Sequence, residues 1–305
     1  AKSILDFSLA QLRNKKGGFY AAIDAETDQV EGAYYAWTVE ELMEILSPEE
    51  NQFFVSFYAL ADIPTFPGHK HTDGKVIIAR KPLDIAAQEF GKPYEELAAL
   101  SAQIMNKLLA RRNKRKAPHL DDKIIISWNG MMITAYAKAG FAFNTPRYLD
   151  AAKAAVQYVM DNGFDGEGRL KRIADKFSNL PGTLEDYAYF IDGLISIAYV
   201  TKDKSLMQKA EVLMAQANDI FMDGGKGYYF SQPGERLPFR VKSGDDSTLP
   251  NANAVMLHNL AQLYTITKKE TYKTQAEALM NYFLNGNTRD MREFATMLSA
   301  SMRLD

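Results

Sequence analysis

Two pairs of acidic residues stand just before segments with helical spacing, and they are the side chains best suited to catalysis. The pairs are Asp121 with Asp122 and Glu185 with Asp186. Two carboxyl groups that face one ligand can serve as acid and base, which is the chemistry of glycosidic cleavage and of sugar isomerisation. Acids ahead of a helix are also common N-caps, so capping is the competing interpretation for Asp186 and the 121–122 pair.

Other polar and aromatic side chains in the same connecting segments could bind a sugar. A sugar has apolar ring faces and many hydroxyl groups, so its pocket combines aromatic platforms with carboxylate, amide and cationic partners. Trp128 could instead be a core residue, and Arg240 and Lys242 could form a structural network with the acids that follow them. The predicted binding residues are Asp24, Trp37, Trp128, Asn129, Tyr187, Arg240, Lys242, Asp245, Asp246 and Asn253.

Three further features are weaker candidates. His258, within a helical segment, could act as a base, although a hydrogen-bonded core histidine is the commoner case. His69 and His71 have a spacing that could suit a metal, but two ligands without a third favour surface residues, so no metal and no cofactor are predicted. The basic run at 111–116 is typical of a solvated helix C-terminus rather than of a nucleic-acid site.

The elements that position these residues form a repeat. Ala152, Ala210 and Ala276 hold the same place in three segments that align without gaps, 58 and 66 residues apart. These segments are one-sided, with Lys and Glu opposite an apolar stripe. Each follows a stretch that is apolar around much of its circumference, which indicates burial on most sides. The sequence therefore predicts pairs of an inner and an outer helix, with inner helices at 127–142, 184–200 and 251–267.

The connections between these helices complete the predicted fold. Short turns within each pair imply antiparallel neighbours, so the longer connections meet at one rim. Glycines followed by aromatic residues predict short strands at 18–37 and 225–241. Capping signals occur at Thr38–Glu41, Ser47–Glu50 and Thr183–Asp186, and a further helix is predicted over 93–113. We expect an all-α (α/α) toroid of helical hairpins with β-hairpins in the rim loops, or an open solenoid, as one domain over 1–305.

Composition excludes several classes of function. The 305 residues are 47% hydrophobic and 24% charged, with a net charge of −2. This balance favours neither a nucleic-acid nor a membrane partner, and no stretch approaches the roughly 18 apolar residues of a membrane span. The chain has no Cys, which excludes disulfides and thiol chemistry within it. Since the first residues do not resemble a secretion signal, a cytoplasmic location is expected.

Several segments, in the same order, resemble a known family. Its blocks here are Gly17-Gly18-Phe19-Tyr20 through Trp37-Thr38, Asp121-Asp122-Lys123 through Trp128-Asn129-Gly130, Leu184-Glu185-Asp186-Tyr187, Arg240-Val241-Lys242 and Asp246 through Asn253. Together they resemble the spermatogenesis-associated, thioredoxin-domain-containing proteins, which join a thioredoxin-like domain to a barrel of six helical hairpins. That barrel is similar to N-acylglucosamine 2-epimerase and to six-hairpin glycosidases.

The resemblance implies a carbohydrate-active or carbohydrate-binding protein with an epimerase-, isomerase- or glycosidase-like site on the rim. It also implies the C-terminal part of a larger architecture, without the thioredoxin-like domain and the first barrel helices. Ile23 and Glu26 depart from the Glu and Asp usual in the family, which puts one acidic wall in doubt. A thioredoxin-like domain or a second copy would cover inner-helix faces left exposed. The alternative function is a non-catalytic helical scaffold that binds such a partner.

Overall fold

A computed structural model of the chain describes residues 1–62, 70–234, 238–285 and 290–304. These residues form two compact units, each with its own apolar core. Unit 1 joins Ala1–Ala21 to Asp122–Asp305, and unit 2 is the intervening Ala22–Asp121. The expectation of one domain over 1–305 stays a prediction.

The described helices, numbered along the chain, are α1 (Lys2–Gln11), α2 (Val39–Ile45), α3 (Pro48–Phe57), α4 (Leu83–Phe90), α5 (Tyr94–Arg112), α6 (Ile126–Ala142), α7 (Pro146–Asn162), α8 (Leu184–Thr201), α9 (Lys204–Phe221), α10 (Ala252–Thr267), α11 (Glu270–Leu284) and α12 (Ala295–Ser301). The described strands are β1 (Ala22–Ile23), β2 (Glu26–Thr27), β3 (Val30–Glu31), β4 (Tyr58–Ala61), β5 (Lys70–His71), β6 (Val76–Ala79) and β7 (Leu120–Asp121). None of the helices in this part of the chain is both long and apolar enough to cross a membrane.

Three helical hairpins build most of unit 1. Helix α6 pairs with α7, α8 with α9, and α10 with α11. Helix α8 is buried on nearly every side, whereas α9 keeps a polar outer face. The inner–outer arrangement predicted from apolar periodicity is thus confirmed, and the inner helices begin and end within a residue of the predicted bounds.

Helix α1 belongs to the same unit although it is far away in sequence. The Tyr136 hydroxyl on α6 donates to the carbonyl oxygen of Leu5 at 2.6 Å. The Tyr148 hydroxyl on α7 donates to Asp6 at 2.7 Å, and Arg147 pairs with the same carboxylate at 2.5 Å. These contacts fasten α1 to the first hairpin.

Each inner helix also holds a glycine-containing connection through one side chain at an equivalent repeat position. Those side chains are Asn129, Tyr187 and Asn253, which share the 58- and 66-residue spacing. They accept hydrogen bonds from the backbone N–H groups of Phe19, Leu170 and Tyr228, at 2.7, 3.0 and 2.8 Å. Each of these partners forms an antiparallel bridge with the residue six places earlier. The three connections are therefore equivalent tight loops, each anchored by its inner helix.

Two glycines allow α6 and α8 to pack with their backbones almost in contact. A Cβ at Gly130 would lie 2.4 Å from the carbonyl carbon of Tyr189, and one at Gly193 would lie 3.0 Å from the Gly130 carbonyl oxygen. No other residue fits at the first position unless one helix moves away. Close contact here aligns the N-terminal ends of the two helices.

Unit 2 has a separate core around the packed helices α2, α3 and α5. Its two ends pair with each other, because β1 and β7 are antiparallel, with Ala22 opposite Asp121. The predicted capping box at Thr38–Glu41 is present, and the predicted N-cap Ser47 also forms a capping box with Glu50. The buried Glu50 carboxylate also pairs with Lys107 at 2.7 Å, and this hydrogen bond lowers the pKa of Glu50.

The basic run at 111–116 is more constrained than a solvated helix end. The Arg115 guanidinium lies 4.3 Å from the centre of the Trp37 ring and pairs with Glu41 at 2.9 Å. It also donates hydrogen bonds to the carbonyl oxygens of Ala33, Tyr34 and Ala36. Arg115 thus ties the loop before α2 to the segment after α5.

The strand predictions have mixed outcomes. Strands β1, β2 and β3 lie within the predicted 18–37 segment. No strand occurs in the described parts of 225–241, so that prediction is wrong. Gly224, Gly225 and Gly227 have positive φ there, and Lys226 N–H closes a turn on the Asp223 carbonyl oxygen at 2.7 Å. The backbone therefore turns tightly where an extended segment is predicted.

Candidate functional site

A pocket in unit 1 lies where α8 and α10 begin, and it is called the rim pocket below. Its volume is about 440 Å³, within the range of roughly 300–1,000 Å³ that small-molecule sites occupy. Apolar walls come from Leu184, Phe230 and Val241, and its polar groups come from α8 and the loop before α10. Those polar residues are Glu185, Ser243, Asp245, Ser247, Thr248, Asn251 and Asn253.

Glu185 contributes a carboxylate to the rim pocket. It is the second residue of α8, where unpaired backbone N–H groups and the helix dipole favour a negative charge. Its side chain is about a quarter exposed and lies 3.3 Å from the Arg172 guanidinium. A partly exposed carboxylate with a single cationic partner keeps oxygen lone pairs that can accept hydrogen bonds from a ligand.

Asp186, next to it, is completely buried and serves the two helix ends. Its Oδ2 accepts from the Thr183 N–H at 2.8 Å and from the Thr183 hydroxyl at 3.0 Å. Its Oδ1 accepts from the Ser127 N–H at the start of α6 at 3.0 Å. Burial raises the pKa of the Asp186 carboxyl, and the positive charge of Arg172 acts in the opposite direction. This residue joins the starts of α6 and α8, as the capping interpretation describes.

The sequence did not predict Arg172 beside these two acids, nor Ser247 and Thr248 in the pocket lining. The Arg172 Nη1 donates to both Glu185 and Asp186 and lies 3.3 Å from the Ser127 hydroxyl. It therefore holds the two acids side by side. No periodicity or spacing marks a single arginine inside a connection, so the sequence offered no signal for it.

The loop before α10 forms the other wall of the rim pocket and is internally braced. Asp246 accepts hydrogen bonds from the backbone N–H groups of Asn251 and Thr296, both at 2.8 Å. The Asn251 amide donates to the Ser243 hydroxyl at 2.9 Å and to the Asp245 carbonyl oxygen at 3.0 Å. Asn253 donates to the carbonyl oxygens of Tyr228 and Ser243. Asp246 and Asn253 are thus committed to the backbone, which fixes the shape of this wall.

Arg240 and Lys242 do not pair with the acids that follow them. Arg240 donates to the carbonyl oxygens of Ser231 and Ile220 and stacks 4.3 Å from the centre of the Tyr229 ring. Lys242 pairs with Asp223 at 2.7 Å, and this contact lowers the pKa of Asp223. Both cations therefore brace the connection between α9 and α10.

The remaining predicted residues lie in three settings. Asn129 and Tyr187 are buried anchors, and burial raises the pKa of Tyr187 to about 12. Trp128 is 36% exposed and follows Ser127 at the start of α6, and Asp122 is exposed. Asp24, Trp37 and Asp121 belong to unit 2. There Trp37 is buried in the core, and Asp24 accepts from the Glu26 N–H at 3.1 Å.

Metal binding finds no support in the described ranges, where no group of three or more suitable side chains could hold an ion. His71 in β5 lies 3.3 Å from Glu31 on the neighbouring strand β3. His69 lies outside the described residues. His258 lies on α10 and faces a different cavity.

The fold places the chain among (α/α) toroids of the six-hairpin glycosidase type, as predicted. An alpha-mannanase of glycoside hydrolase family 76 from Bacteroides thetaiotaomicron superposes with a TM-score of 0.50 at 17% identity. The match covers 68% of this chain and 63% of the mannanase, and at this identity it shows the fold alone. No family model matches the sequence.

A comparison of sequences identifies relatives of the chain. The chain is homologous to spermatogenesis-associated protein 20 of mouse and of human. It is 30% identical to each over an alignment that covers 93% of this chain. The resemblance inferred from the sequence blocks is therefore confirmed. The chain spans 40% of the length of these relatives.

Proposed function

We propose that unit 1 binds a sugar or sugar derivative in the rim pocket. The observation that carries the proposal is the lining, in which the Glu185 carboxylate and several hydroxyl and amide groups surround a space beside Phe230. Alternating hydrogen-bond groups and an apolar face match the two surfaces of a sugar ring. The fold is also one that carbohydrate-active enzymes use.

Within this proposal Glu185 is the acidic group assigned to ligand contact. Asp186 holds the helix starts instead, because its oxygens are occupied by Thr183, Ser127 and Arg172. Ser247 and Thr248 are exposed hydroxyl groups on the opposite wall, available to both donate and accept. Acid and base roles for Asp121, Asp122, Glu185 and Asp186 in isomerisation or glycosidic cleavage stay predictions.

Calorimetric titration with a panel of mono- and disaccharides tests the proposal. We expect saturable binding of at least one sugar by the parent protein, weakened about tenfold by Glu185→Gln. A hydrogen bond to a charged group contributes about 1.5–3 kcal/mol, and the substitution keeps the shape while removing the charge. Glu277→Gln is the matched control, because Glu277 is a solvent-facing acid on α11.

Two results would contradict the proposal. One is the absence of binding for every sugar while the protein remains folded by circular dichroism. The other is equal loss of affinity in the two Glu→Gln variants, which would indicate a general charge effect rather than a pocket at Glu185.

One surface of unit 2 favours the second function, a scaffold that binds a protein partner. A groove of about 780 Å³ runs over α2 and α3, and Val39, Met43 and Val55 on it are more than half exposed. Its lining includes Arg80 and Lys75, and Lys75 already pairs with Asp62. A partner with an apolar surface, such as a thioredoxin-like domain, would suit it. We expect a thioredoxin-like domain to crosslink to this groove, and Met43→Lys should abolish the crosslink. Unchanged crosslinking of the Met43→Lys variant would argue against this function.

A further inference from the structure

A second cavity of unit 1 lies deeper along the inner helices than the rim pocket. Its volume is about 530 Å³, and its walls are mainly apolar, including Met131, Tyr189, Val255 and Ala300. Asp192 and His258 also line it. The two cavities adjoin at Pro250, whose carbonyl oxygen accepts a hydrogen bond from the Tyr189 hydroxyl.

Three inner helices converge on the Asp192 carboxylate. Thr134 on α6 donates to Oδ2 at 2.9 Å, and Gln262 on α10 donates to Oδ1 at 3.1 Å. His258 Nε2 lies 3.7 Å from the same Oδ1, and the side chains of His258 and Asp192 are 18% and 14% exposed. A charge in an apolar setting is costly unless it is compensated, and these neighbours compensate it. The carboxylate in turn favours a proton on the imidazole nitrogen that faces it.

His258 differs from its neighbours because its hydrogen-bonding capacity is not used. Among the described residues no hydrogen bond to or from the imidazole is found, and Asp192 is its charged neighbour at 3.7 Å. A proton on Nε2, the nitrogen nearer this carboxylate, leaves the Nδ1 lone pair as an acceptor. Burial lowers the pKa of His258, as do the positive charges of Arg303 and Lys138, while Asp192 acts in the opposite direction. The imidazole is therefore a neutral acceptor at neutral pH.

We propose that this cavity is a ligand site separate from the rim pocket, in which His258, oriented by Asp192, accepts a hydrogen bond from a hydroxyl group. Because the walls are mainly apolar, the ligand should be compact and mostly apolar apart from that hydroxyl group. A mainly apolar cavity that contains an imidazole acceptor favours such a ligand, because its apolar part leaves water and its hydroxyl group gains a hydrogen-bond partner.

The matched probes 4-fluorophenol and 4-fluoroanisole test this site, since only the first has an O–H group. Titrations followed by fluorine NMR should show the phenol binding at least fivefold more tightly to the parent protein. His258→Leu should remove the preference. Ser299→Ala, which alters a hydroxyl residue of the same cavity, should keep it.

Two further measurements test whether the phenol binds at His258 and not in the rim pocket. In the parent protein the imidazole signals of His258, one of four histidines, should move with the phenol and not with the anisole. Glu185→Gln should leave the preference intact, which separates this site from the rim pocket. Equal binding of the two probes, or His258 signals that do not move with the phenol, would overturn the proposal even if His258→Leu did not fold.

Discussion

Buried amides at the ends of the inner helices carry much of the local order of the rim. Asn129 has a side chain with three hydrogen bonds, to the N–H and carbonyl oxygen of Phe19 and to the carbonyl oxygen of Ile125. Asn253 repeats the pattern around Tyr228. Asn253 holds the connection that contributes Phe230 to the rim pocket, so this side chain acts on the pocket through the position of that loop.

We predict that Asn129→Ala lowers the free energy of unfolding of unit 1 by about 3 kcal/mol. The substitution leaves the buried N–H and carbonyl groups of Phe19 without partners, and each such group costs about 1–3 kcal/mol. Urea denaturation followed by circular dichroism measures the change. Asn162→Ala is the control, because that amide makes a single hydrogen bond within its own helix. Equal effects of the two substitutions would refute the anchoring role.

The Glu50–Lys107 pair of unit 2 leads to a pH-dependent prediction. A carboxyl whose pKa is lower in the folded state stabilises the protein above its unfolded pKa, and that stabilisation is lost as pH falls through the folded value. Glu50→Gln should therefore lower the melting temperature at pH 7, and the difference from the parent should shrink towards pH 3. Glu49→Gln, at an exposed neighbouring position, is the matched control. A difference that grows on acidification would contradict the assignment.

The sequence predicted that polar side chains gather at one rim, but it could not assign their roles. Glu185 and Asp245 line one pocket, Asp186 and Asn129 bind the backbone, and Asn253 does both. That distinction depends on which loop lies against each side chain. A signal was nevertheless present, because positions 129, 187 and 253 follow the spacing of the repeat alanines.

At the scale of elements, helices with a strong apolar period were predictable and irregular segments were not. The inner helices and α5 match their predicted bounds closely. Burial on most sides marks the inner helices, and a one-sided apolar stripe marks α5. The 225–241 segment shares glycines and aromatics with strand-forming sequences. Its conformation is set by anchoring to Asn253, a contact that no local pattern reveals.

The close packing of α6 on α8 depends on glycine at position 130, where the contact with the other helix is tightest. We predict that Gly130→Ala destabilises unit 1 by about 2 kcal/mol or more, because the added Cβ meets the rigid backbone of Tyr189. Thermal unfolding followed by circular dichroism measures the effect. Gly166→Ala is the control, since a Cβ there meets no atom within 4 Å. A neutral Gly130→Ala would show that the two helices separate freely.

At the scale of the whole molecule, the two described units have separate cores. The sequence predicts one domain, because its helical repeat is visible only after residue 126 and no pattern sets the earlier helices apart. The amino-acid composition does not change visibly where unit 2 is inserted into unit 1. The boundary at 21–22 and 121–122 emerges only when long-range contacts are known.

Separate cores predict two unfolding transitions in differential scanning calorimetry. Gly130→Ala should shift one transition and Glu50→Gln the other, since distant sites that share no partners act independently. Combining the two substitutions should shift both by their individual amounts. A single transition that both substitutions shift would mean that the units unfold cooperatively.

The pairing of β1 with β7 affects how the chain reaches its native state. During synthesis α1 leaves the ribosome long before α6 and α7, the helices that it must contact. An unfolded stretch of 100 residues between them would impose a loop-closure cost, which grows with the logarithm of its length. Once unit 2 has folded, its termini lie side by side, and the effective loop shortens to a few residues. Early folding of the inserted segment would therefore accelerate the docking of α1.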